Sequence, residues 1–180
     1  MSITTRQGDQ GRTRLHDGQI VSKGHPRLDA LGDLDELISA LGVARARAPV
    51  GELRDLLLEL QRDLFVAGSE AAVSPDRAAR LPARIGATHC ARMDAVCADL
   101  ESRAGAPRDF ILPGENEAGA HLDFARAVAR RCERRFVALS DAGAIQNPGL
   151  LQWMNRLSDA LWLMARIAEG GSRALRAERA

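Results

Sequence analysis

Apolar residues recur at steps of three and four along most of the chain, which is the spacing of one face of an α-helix. Segments of this kind, each with a seam rich in leucine or methionine, follow one another from residue 27 onward. They predict helices over about 27–47, 52–72, 82–103 and 116–140, and a last one from Pro148. No alternation of apolar and polar positions that is typical of β-strands rises above background. The pattern therefore predicts an all-α bundle of five amphipathic helices.

Proline and glycine mark where these helices begin. Pro26 and Pro148 stand at first-turn positions, where the N–H that proline lacks would have no helical partner, and Asn147 precedes Pro148 as a cap. Residues 1–25 are polar and are interrupted by glycines, which predicts a loop. We therefore expect a single domain, with an N-terminal loop over 1–25 and a helical bundle over 26–180.

The composition is that of an ordinary globular protein. The chain has 180 residues, of which 46% are hydrophobic and 27% charged, and its formal net charge is +1. This balance gives no reason to expect nucleic acid as a partner, and no apolar run reaches the roughly 18 residues needed to span a membrane. The N-terminus lacks the pattern of a signal peptide. The three cysteines are widely spaced, which suggests core thiols in a reducing compartment and predicts a cytoplasmic protein.

The helix predicted over 116–140 carries a row of cations. Arg126, Arg130 and Arg134 follow at steps of four and so line one stripe of that helix. Guanidinium groups hold phosphate through paired hydrogen bonds, which suggests a polyphosphate site. On the stripe alone, a solvated charged face or arginine–carboxylate pairs inside the bundle are the commoner explanation.

The N-terminal loop also has features that suit an anion. Between Thr5 and Arg14, glycines let backbone N–H groups approach an anion, and hydroxyl and cationic side chains add further donors. A flexible terminus would explain the same composition. Lys23 is the only lysine among 25 lysine and arginine residues. Lysine is a common phosphate ligand, although chance retention explains it equally well.

Polar residues fall beside the apolar seams of two helices. Asp35 follows Leu31 by one turn, and a carboxylate there would need a cationic partner, which the arginine helix offers. Asn155, Ser158 and Asp159 share one face of the last helix, where structural contacts between helices are an equally good explanation. No serine or cysteine stands in a nucleophile motif. An enzyme built from these residues would act by positioning and charge stabilisation, with the nucleophile supplied by the substrate.

The chain contains a series of short segments in the following order: Thr5-x-x-Gly8-Asp9-x-Gly11-x-Thr13, Val21-Ser22-Lys23 with Pro26-Arg27, Asp35-Glu36-Leu37 with Ser39-Ala40-Leu41-Gly42, Gln61 with Leu64-Phe65 and Gly68, Phe110-Ile111-Leu112-Pro113-Gly114, Ala125-Arg126, Arg130-Arg131 with Glu133-Arg134, and Asn155-Arg156-Leu157-Ser158-Asp159. In this order and spacing they resemble the PduO-type ATP:corrinoid adenosyltransferases, which make adenosylcobalamin. The resemblance covers nearly the whole chain, from Thr5 to about Ala168.

The resemblance implies a fold, an assembly and a reaction. It implies a five-helix bundle of the ferritin-like, cobalamin adenosyltransferase-like type, preceded by a glycine-containing N-terminal loop. It implies a homotrimer in which the loop of one subunit and helices of its neighbour form the ATP pocket. The protein would transfer the 5′-deoxyadenosyl group of ATP to cob(I)alamin and release triphosphate, with Mg²⁺ bound to the ATP phosphates. A reductase and an adenosylcobalamin-dependent enzyme are the protein partners that it suggests.

The resemblance also assigns roles to individual residues. Catalytic roles fall to Arg126, Arg130 and Asp35, and Asp35 with Arg126 matches a pair that joins subunits. Phe110, which matches an aromatic beneath the corrin ring, and Asp159 are assigned to the corrinoid. The positions assigned to ATP are Thr5, Arg6, Gly8, Asp9, Gly11, Thr13, Arg14, Lys23, Arg126, Arg130, Glu133 and Asn155.

The chain departs from the family's usual residues at five positions, Leu31, Ile38, Glu115, Asp123 and Ala127. The family usually has an aromatic, Asn, Gly, His and Thr at these places. Glu115 adds a negative charge beside the corrinoid segment, whereas Ile38, Asp123 and Ala127 concern helix contacts or pocket walls. A second interpretation therefore stays open, that of a non-catalytic paralogue that binds ATP or a corrinoid as a cofactor carrier or regulator.

Overall fold

A computed structural model describes residues 4, 6–49, 51–105, 110–170 and 173–174, so the predicted ATP ligand Thr5 lies outside the described residues. The described helices are α1 (Pro26–Arg47), α2 (Glu52–Ala71), α3 (Pro75–Ala78), α4 (Ala87–Ala104), α5 (Glu117–Asp141) and α6 (Pro148–Glu169). The described strands are β1 (Arg12–Arg14), β2 (Ile20–Ser22), β3 (Ile111–Leu112) and β4 (Arg173–Ala174). The five predicted helices correspond to the five long ones, and the prediction of an all-α bundle is confirmed.

The third predicted helix begins later than expected. The apolar pattern placed its start near 82, but α4 begins at Ala87, after Gly86 in an extended conformation with φ −139°. Ile85 is nevertheless buried, because the Glu70 carboxylate accepts a hydrogen bond from its backbone N–H at 2.8 Å and holds it against the core. The buried position belongs to the seam, but the backbone there is not helical.

Two short antiparallel ribbons were not predicted. β1 pairs with β2 inside the region expected to be a loop, and β3 pairs with β4 beside the N-terminus of α5. Strands of two or three residues are too short to display the alternation by which strands are recognised in a sequence. The turn of the first ribbon includes Gly18 at φ +89°, a conformation that favours glycine.

The bundle is organised around α5 and α6. Helix α5 packs between α1 and α6, while α2 packs on α1 and α4 packs on α6. The largest side chains among those that are fully buried are Trp153 and Phe136. Each fully buried leucine of the seams, such as Leu37 or Leu64, contributes about 2 kcal/mol of hydrophobic stabilisation. These seams leave the opposite faces of α1 and α5 exposed to carry other functions.

A buried arginine closes one end of the bundle. Arg27 donates from Nη1 to the carbonyl oxygens of Ala71 and Val73, both at 2.7 Å, and from Nη2 to that of Ala144 at 2.9 Å. It thereby joins the end of α2 to the connection between α5 and α6. Burial lowers the pKa of its guanidinium.

None of the described helices combines the length and the apolar composition that a transmembrane span requires.

Candidate functional site

The first ribbon forms an open cationic pocket of about 600 Å³. Its lining includes Arg12, Thr13 and Arg14 from β1, together with Lys23 just after β2. Arg12 and Arg14 each donate a hydrogen bond to a carbonyl across the ribbon, to Ile20 and Gly18 respectively, at 3.5 and 3.2 Å. Since a guanidinium has five N–H donors, donors are left over for an anion in the pocket.

Lys23 lies directly against the glycine turn that precedes β1. A Cβ added at Gly8 would come within 2.9 Å of the Lys23 ammonium nitrogen, so a side chain there would displace it. The Lys23 backbone N–H donates to the Gly11 carbonyl at 2.8 Å, and Gly11 itself has φ +70°. The predicted loop residues Gly8, Thr13, Arg14 and Lys23 are thus brought together in one pocket.

Arg6 and Asp9 belong to the turn ahead of β1. Arg6 adopts φ +57°, which is uncommon outside glycine, and the Asp9 backbone N–H donates to its carbonyl at 3.4 Å. Both side chains are exposed, and neither is among the residues that line the pocket. The structure therefore places these two predicted ATP ligands at the rim of the ribbon rather than inside the pocket.

The arginine stripe is exposed along most of α5. Arg130 and Arg134 are exposed, and Arg134 donates to the Arg130 carbonyl at 3.0 Å. Arg126 is half-buried, and its Nε lies 3.6 Å from the Asp123 carboxylate without a hydrogen bond. The predicted ligand Glu133 follows Arg130 on the same helix and is partly buried. Within the part of the chain that the structure describes, Arg126 is therefore the one of these three cations that lies beside a carboxylate.

Asp35 is exposed on α1, and it makes no ion pair with the rest of the described chain. The neighbouring carboxylates of α1 pair with arginines of α5 instead. Arg131 binds both Asp33 and Glu36, and Arg135 lies 3.6 Å from Asp33. Asp35 is therefore not part of the buried seam, although Leu31 and Ile38, one turn to either side of it, pack against the core. The hypothesis that it meets Arg126 of another subunit stays a prediction.

The polar residues predicted on α6 lie at two depths. Ser158 is buried and donates to the Asn155 carbonyl at 2.9 Å, while the side chains of Asn155 and Asp159 are exposed. Asp159 borders a shallow pocket of about 370 Å³ between α4 and α6. Cys97 lines the same pocket, and burial raises the pKa of its thiol to about 11, so it is not a nucleophile at neutral pH.

The segment that leads into β3 presents an aromatic side chain to solvent. Phe110 is 77% exposed, just before β3. The turn after β3 is held by a residue that the sequence did not suggest, because the Glu169 carboxylate accepts from the backbone N–H groups of Gly114 and Glu115 at 3.2 and 3.3 Å. Gly114 has φ +111°, so this turn favours glycine.

Sequence reasoning missed Glu169 and its partner Arg166. Both lie in the last turns of α6, where the Arg166 side chain is 4% exposed and the Glu169 side chain is fully buried. Arg166 also binds the buried carboxylate of Asp123. The sequence contains a signal for them, because these two charged residues lie on the buried side of an otherwise apolar helix end. The arginine-rich residues that follow made this signal hard to recognise.

The cationic pocket and the arginine stripe are not joined within one chain. The lining of the pocket comes from residues 7–23, and it includes no described residue of α5 or α6. Among the described residues, no three His, Cys, Asp or Glu side chains are grouped so as to hold a metal ion.

In fold and site, the molecule is an all-helical bundle with a cationic pocket beside it and an exposed aromatic segment. The chain belongs to the cobalamin adenosyltransferase family, whose model matches residues 3–168. The resemblance drawn from the sequence is thereby confirmed.

Individual relatives agree with this assignment. The corrinoid adenosyltransferase PduO of Citrobacter freundii is 42% identical over 169 residues, which are 94% of this chain and 50% of that protein. This chain thus spans half the length of that relative. A second corrinoid adenosyltransferase of Citrobacter freundii is 39% identical, over 93% of this chain and 94% of its own length.

A solved structure is similar over nearly the whole fold. It is that of a phenylalanine-to-histidine variant of the PduO-type ATP:corrinoid adenosyltransferase of Lactobacillus reuteri, complexed with cobalamin and ATP. The two chains superpose with a TM-score of 0.89 at 29% identity, covering 98% of this chain and 97% of the other.

Proposed function

We propose that the protein transfers the 5′-deoxyadenosyl group of ATP to the cobalt of cob(I)alamin, giving adenosylcobalamin and triphosphate. The observation that carries this proposal is Phe110, a large aromatic side chain that is 77% exposed on a segment whose following turn is anchored to the bundle. The flat face of a corrin ring is a ligand against which an exposed aromatic side chain can stack. Family membership supports the same reaction.

The reaction needs no nucleophile from the protein. Reduced cobalt supplies the electron pair that attacks the 5′ carbon of ATP, a cobalt–carbon bond forms, and the carbon–oxygen bond to triphosphate breaks. Phe110 would occupy the lower axial side of the corrinoid and exclude water or a tethered base, which leaves cobalt four-coordinate and easier to reduce. The protein then has to hold the triphosphate and align the ribose carbon over cobalt.

The cations divide this work between two surfaces. Arg12, Arg14 and Lys23 of the pocket, with the backbone at Gly8, would bind the triphosphate, and Mg²⁺ would arrive with the phosphates. Arg130, exposed on α5, would stabilise the charge that develops on the leaving group. Arg126, Glu133 and Asn155 would complete the nucleotide side, and Asp159 would contact the corrinoid.

A homotrimer would bring the two surfaces together. Exposed apolar side chains include Val43 on α1 and Phe124 and Val137 on α5, which are 47%, 61% and 38% exposed, and Asp35 is exposed on α1. Helices α1 and α5 pack on each other, and exposed apolar side chains on such helices would be covered at an interface between subunits. A neighbour seated there would place its Arg126 within reach of Asp35 and offer its pocket to Arg130.

The three free cysteines favour a reducing compartment, in keeping with a cytoplasmic protein.

The test is an anaerobic spectroscopic assay with chemically reduced cob(I)alamin, Mg²⁺ and ATP. We expect the Co(I) absorbance to fall as adenosylcobalamin appears, and no change when ATP is omitted. Phe110→Ala should still bind ATP but fail to give the four-coordinate cobalt spectrum. A wild-type protein without turnover would refute the enzyme.

One observation favours the carrier or regulator as a second candidate. Asp123 stands where the family usually has histidine, and it places a carboxylate 3.6 Å from Arg126, so part of that cation's charge is already balanced within the chain. Binding of ATP or corrinoid without turnover in the assay would support this second candidate. Reversion of Asp123 to His would then be the first variant to make.

A further inference from the structure

Three buried charged side chains and one half-buried arginine form a cluster between α5 and the end of α6. The cluster comprises Asp123, Arg126, Arg166 and Glu169, and we call it the Glu169 cluster. Arg166 binds the Asp123 carboxylate and lies 3.0 Å from that of Glu169, and Asp123 lies 3.6 Å from Arg126. The side chains of Asp123, Arg166 and Glu169 are 6%, 4% and 0% exposed. Two carboxylates and two guanidiniums leave no net charge in the cluster.

Charges this deeply buried need a compensating role, since apolar residues of the same volume would be as stable or more so. Glu169 uses its second oxygen to accept from the backbone N–H groups of Gly114 and Glu115. Hydrogen bonds from N–H groups to a carboxylate are roughly twice as strong as neutral ones. The buried carboxylate of Glu169 therefore serves to hold one short turn in place.

The local sequence is shaped to admit this carboxylate. A Cβ at Gly119 in the first turn of α5 would lie 2.4 Å from the Glu169 Cγ, so only glycine leaves room for it. Next to it, the Asn116 side chain donates to the Ala168 carbonyl at 2.7 Å and accepts from the Gly119 N–H at 2.8 Å. The turn between β3 and α5 is thus tied to the end of α6 at two independent points.

We propose that Glu169, held by Arg166 and Asp123, is a positioning residue that fixes the segment 110–115 for the corrinoid. This inference rests on the proposed function. The fixed turn lies four residues after Phe110, while the other end of the cluster reaches Arg126 on the nucleotide side. One buried network thereby sets the position of the corrinoid segment relative to the helix that would hold ATP.

The test compares Glu169→Gln with Glu70→Gln in the full-length protein. Glu70 is a matched control, because its side chain is 2% exposed, it binds Arg84 at 3.2 Å, and it accepts from the Ile85 backbone N–H. It anchors the connection before α4, where it accepts hydrogen bonds from Arg84, Ile85 and Asn147. Both variants keep the side-chain volume and lose one buried charge, so their effects on stability should be similar.

We expect Glu169→Gln to raise the KM for cob(I)alamin about tenfold and to weaken the four-coordinate cobalt spectrum, with the affinity for ATP changed by less than about twofold. Glu70→Gln should leave these quantities unchanged. Independently of turnover, hydrogen exchange should become about tenfold faster at the amides of Gly114 and Glu115 in Glu169→Gln alone.

Each outcome decides the matter. Equal kinetic and spectral behaviour of the two variants, with an active wild type, would overturn the positioning role while leaving the proposed function intact. Unchanged exchange at Gly114 and Glu115 would overturn the anchoring itself. An inactive wild type would overturn the proposed function, and the positioning role for that reaction with it.

Discussion

Arg130 is the residue whose removal should affect chemistry without affecting the fold. It is exposed, and its guanidinium makes no ion pair or hydrogen bond within the described chain. Arg130→Ala should lower turnover at least about a hundredfold, because it deletes a cation that would face the leaving triphosphate. The free energy of unfolding should change by less than about 0.5 kcal/mol. The anaerobic assay and urea unfolding measure the two quantities.

The matched control for this variant is Arg62→Ala. Arg62 is also an exposed arginine in the middle of a long helix, but it lies on α2 and has no assigned role. It should keep full turnover. Activity of Arg130→Ala close to that of Arg62→Ala would remove Arg130 from the mechanism.

Single residues show where the sequence stops being informative. Arg27, Arg130 and Arg166 are identical in type, and each stands on a helix with an apolar seam. Only the fold decides that Arg27 and Arg166 are buried against carbonyl or carboxylate oxygens while Arg130 is exposed. The role that the resemblance assigns to Arg130 stays a prediction, with which its exposure is compatible, and nothing in the local pattern indicated the partners of Arg166.

At the scale of elements, Arg27 holds the end of α2 against the connection between α5 and α6. Arg27→Met keeps most of the volume and removes all three hydrogen bonds to the carbonyls of Ala71, Val73 and Ala144. Carbonyls left unpaired in a buried site cost free energy, so we expect a loss of about 3 kcal/mol in the free energy of unfolding. Urea unfolding at a fixed protein concentration measures it. The exposed substitution Arg62→Met should cost less than about 0.5 kcal/mol.

A loss below about 1 kcal/mol for Arg27→Met would mean that water or a shifted backbone satisfies those carbonyls. In that case Arg27 would not be what joins the elements at this end of the bundle.

The first ribbon is attached to the bundle by Asp17. Its carboxylate accepts from the backbone N–H groups of Gln19 and Ser74, both at 3.0 Å, and the hydrogen bond from Gln19 is the main cause that lowers its pKa below the ordinary 3.8. A carboxyl group whose folded pKa is lowered stabilises the fold above its unfolded pKa and loses that contribution as the pH falls through the folded value.

Asp17→Asn should therefore be less stable than the wild type at pH 7, and the difference should begin to shrink near pH 4 and fade as the pH drops through the lowered pKa of Asp17. Unfolding in urea between pH 3 and pH 7, carried out on both proteins, measures it. A difference that does not depend on pH would show that the charge of Asp17 contributes nothing and that the side chain acts through its shape alone.

Elements differ in how well a sequence predicts them. The long helices were predicted to within a few residues because seams of 20 residues repeat the helical period several times, and Pro26 and Pro148 fix two of the starts. The ribbons β1–β2 and β3–β4 were missed because they depend on pairing between distant or turning segments. The turn held by Glu169 was missed for the same reason, because Gly114 and Glu115 precede Glu169 by 55 and 54 residues.

At the scale of the whole molecule, the candidate site is divided between two surfaces. The cationic pocket belongs to residues 7–23, whereas Arg130 is on α5, and the pocket's described lining does not include that helix. A site shared between subunits would unite them, and the two defects Lys23→Ala and Arg130→Ala would then lie on opposite sides of each site. Each variant alone should be inactive.

Co-expression of Lys23→Ala with Arg130→Ala should restore activity. In randomly mixed trimers, about a quarter of the shared sites combine an intact pocket from one chain with an intact α5 from the next, so we expect about a quarter of the wild-type rate. Lys23→Ala mixed with Arg14→Ala is the control, because both defects lie in the same pocket and no intact site can form. A site built within one chain carries a defect in either variant, so recovery can come only from a site shared between chains. Absence of recovery in the first mixture would therefore contradict a site between subunits.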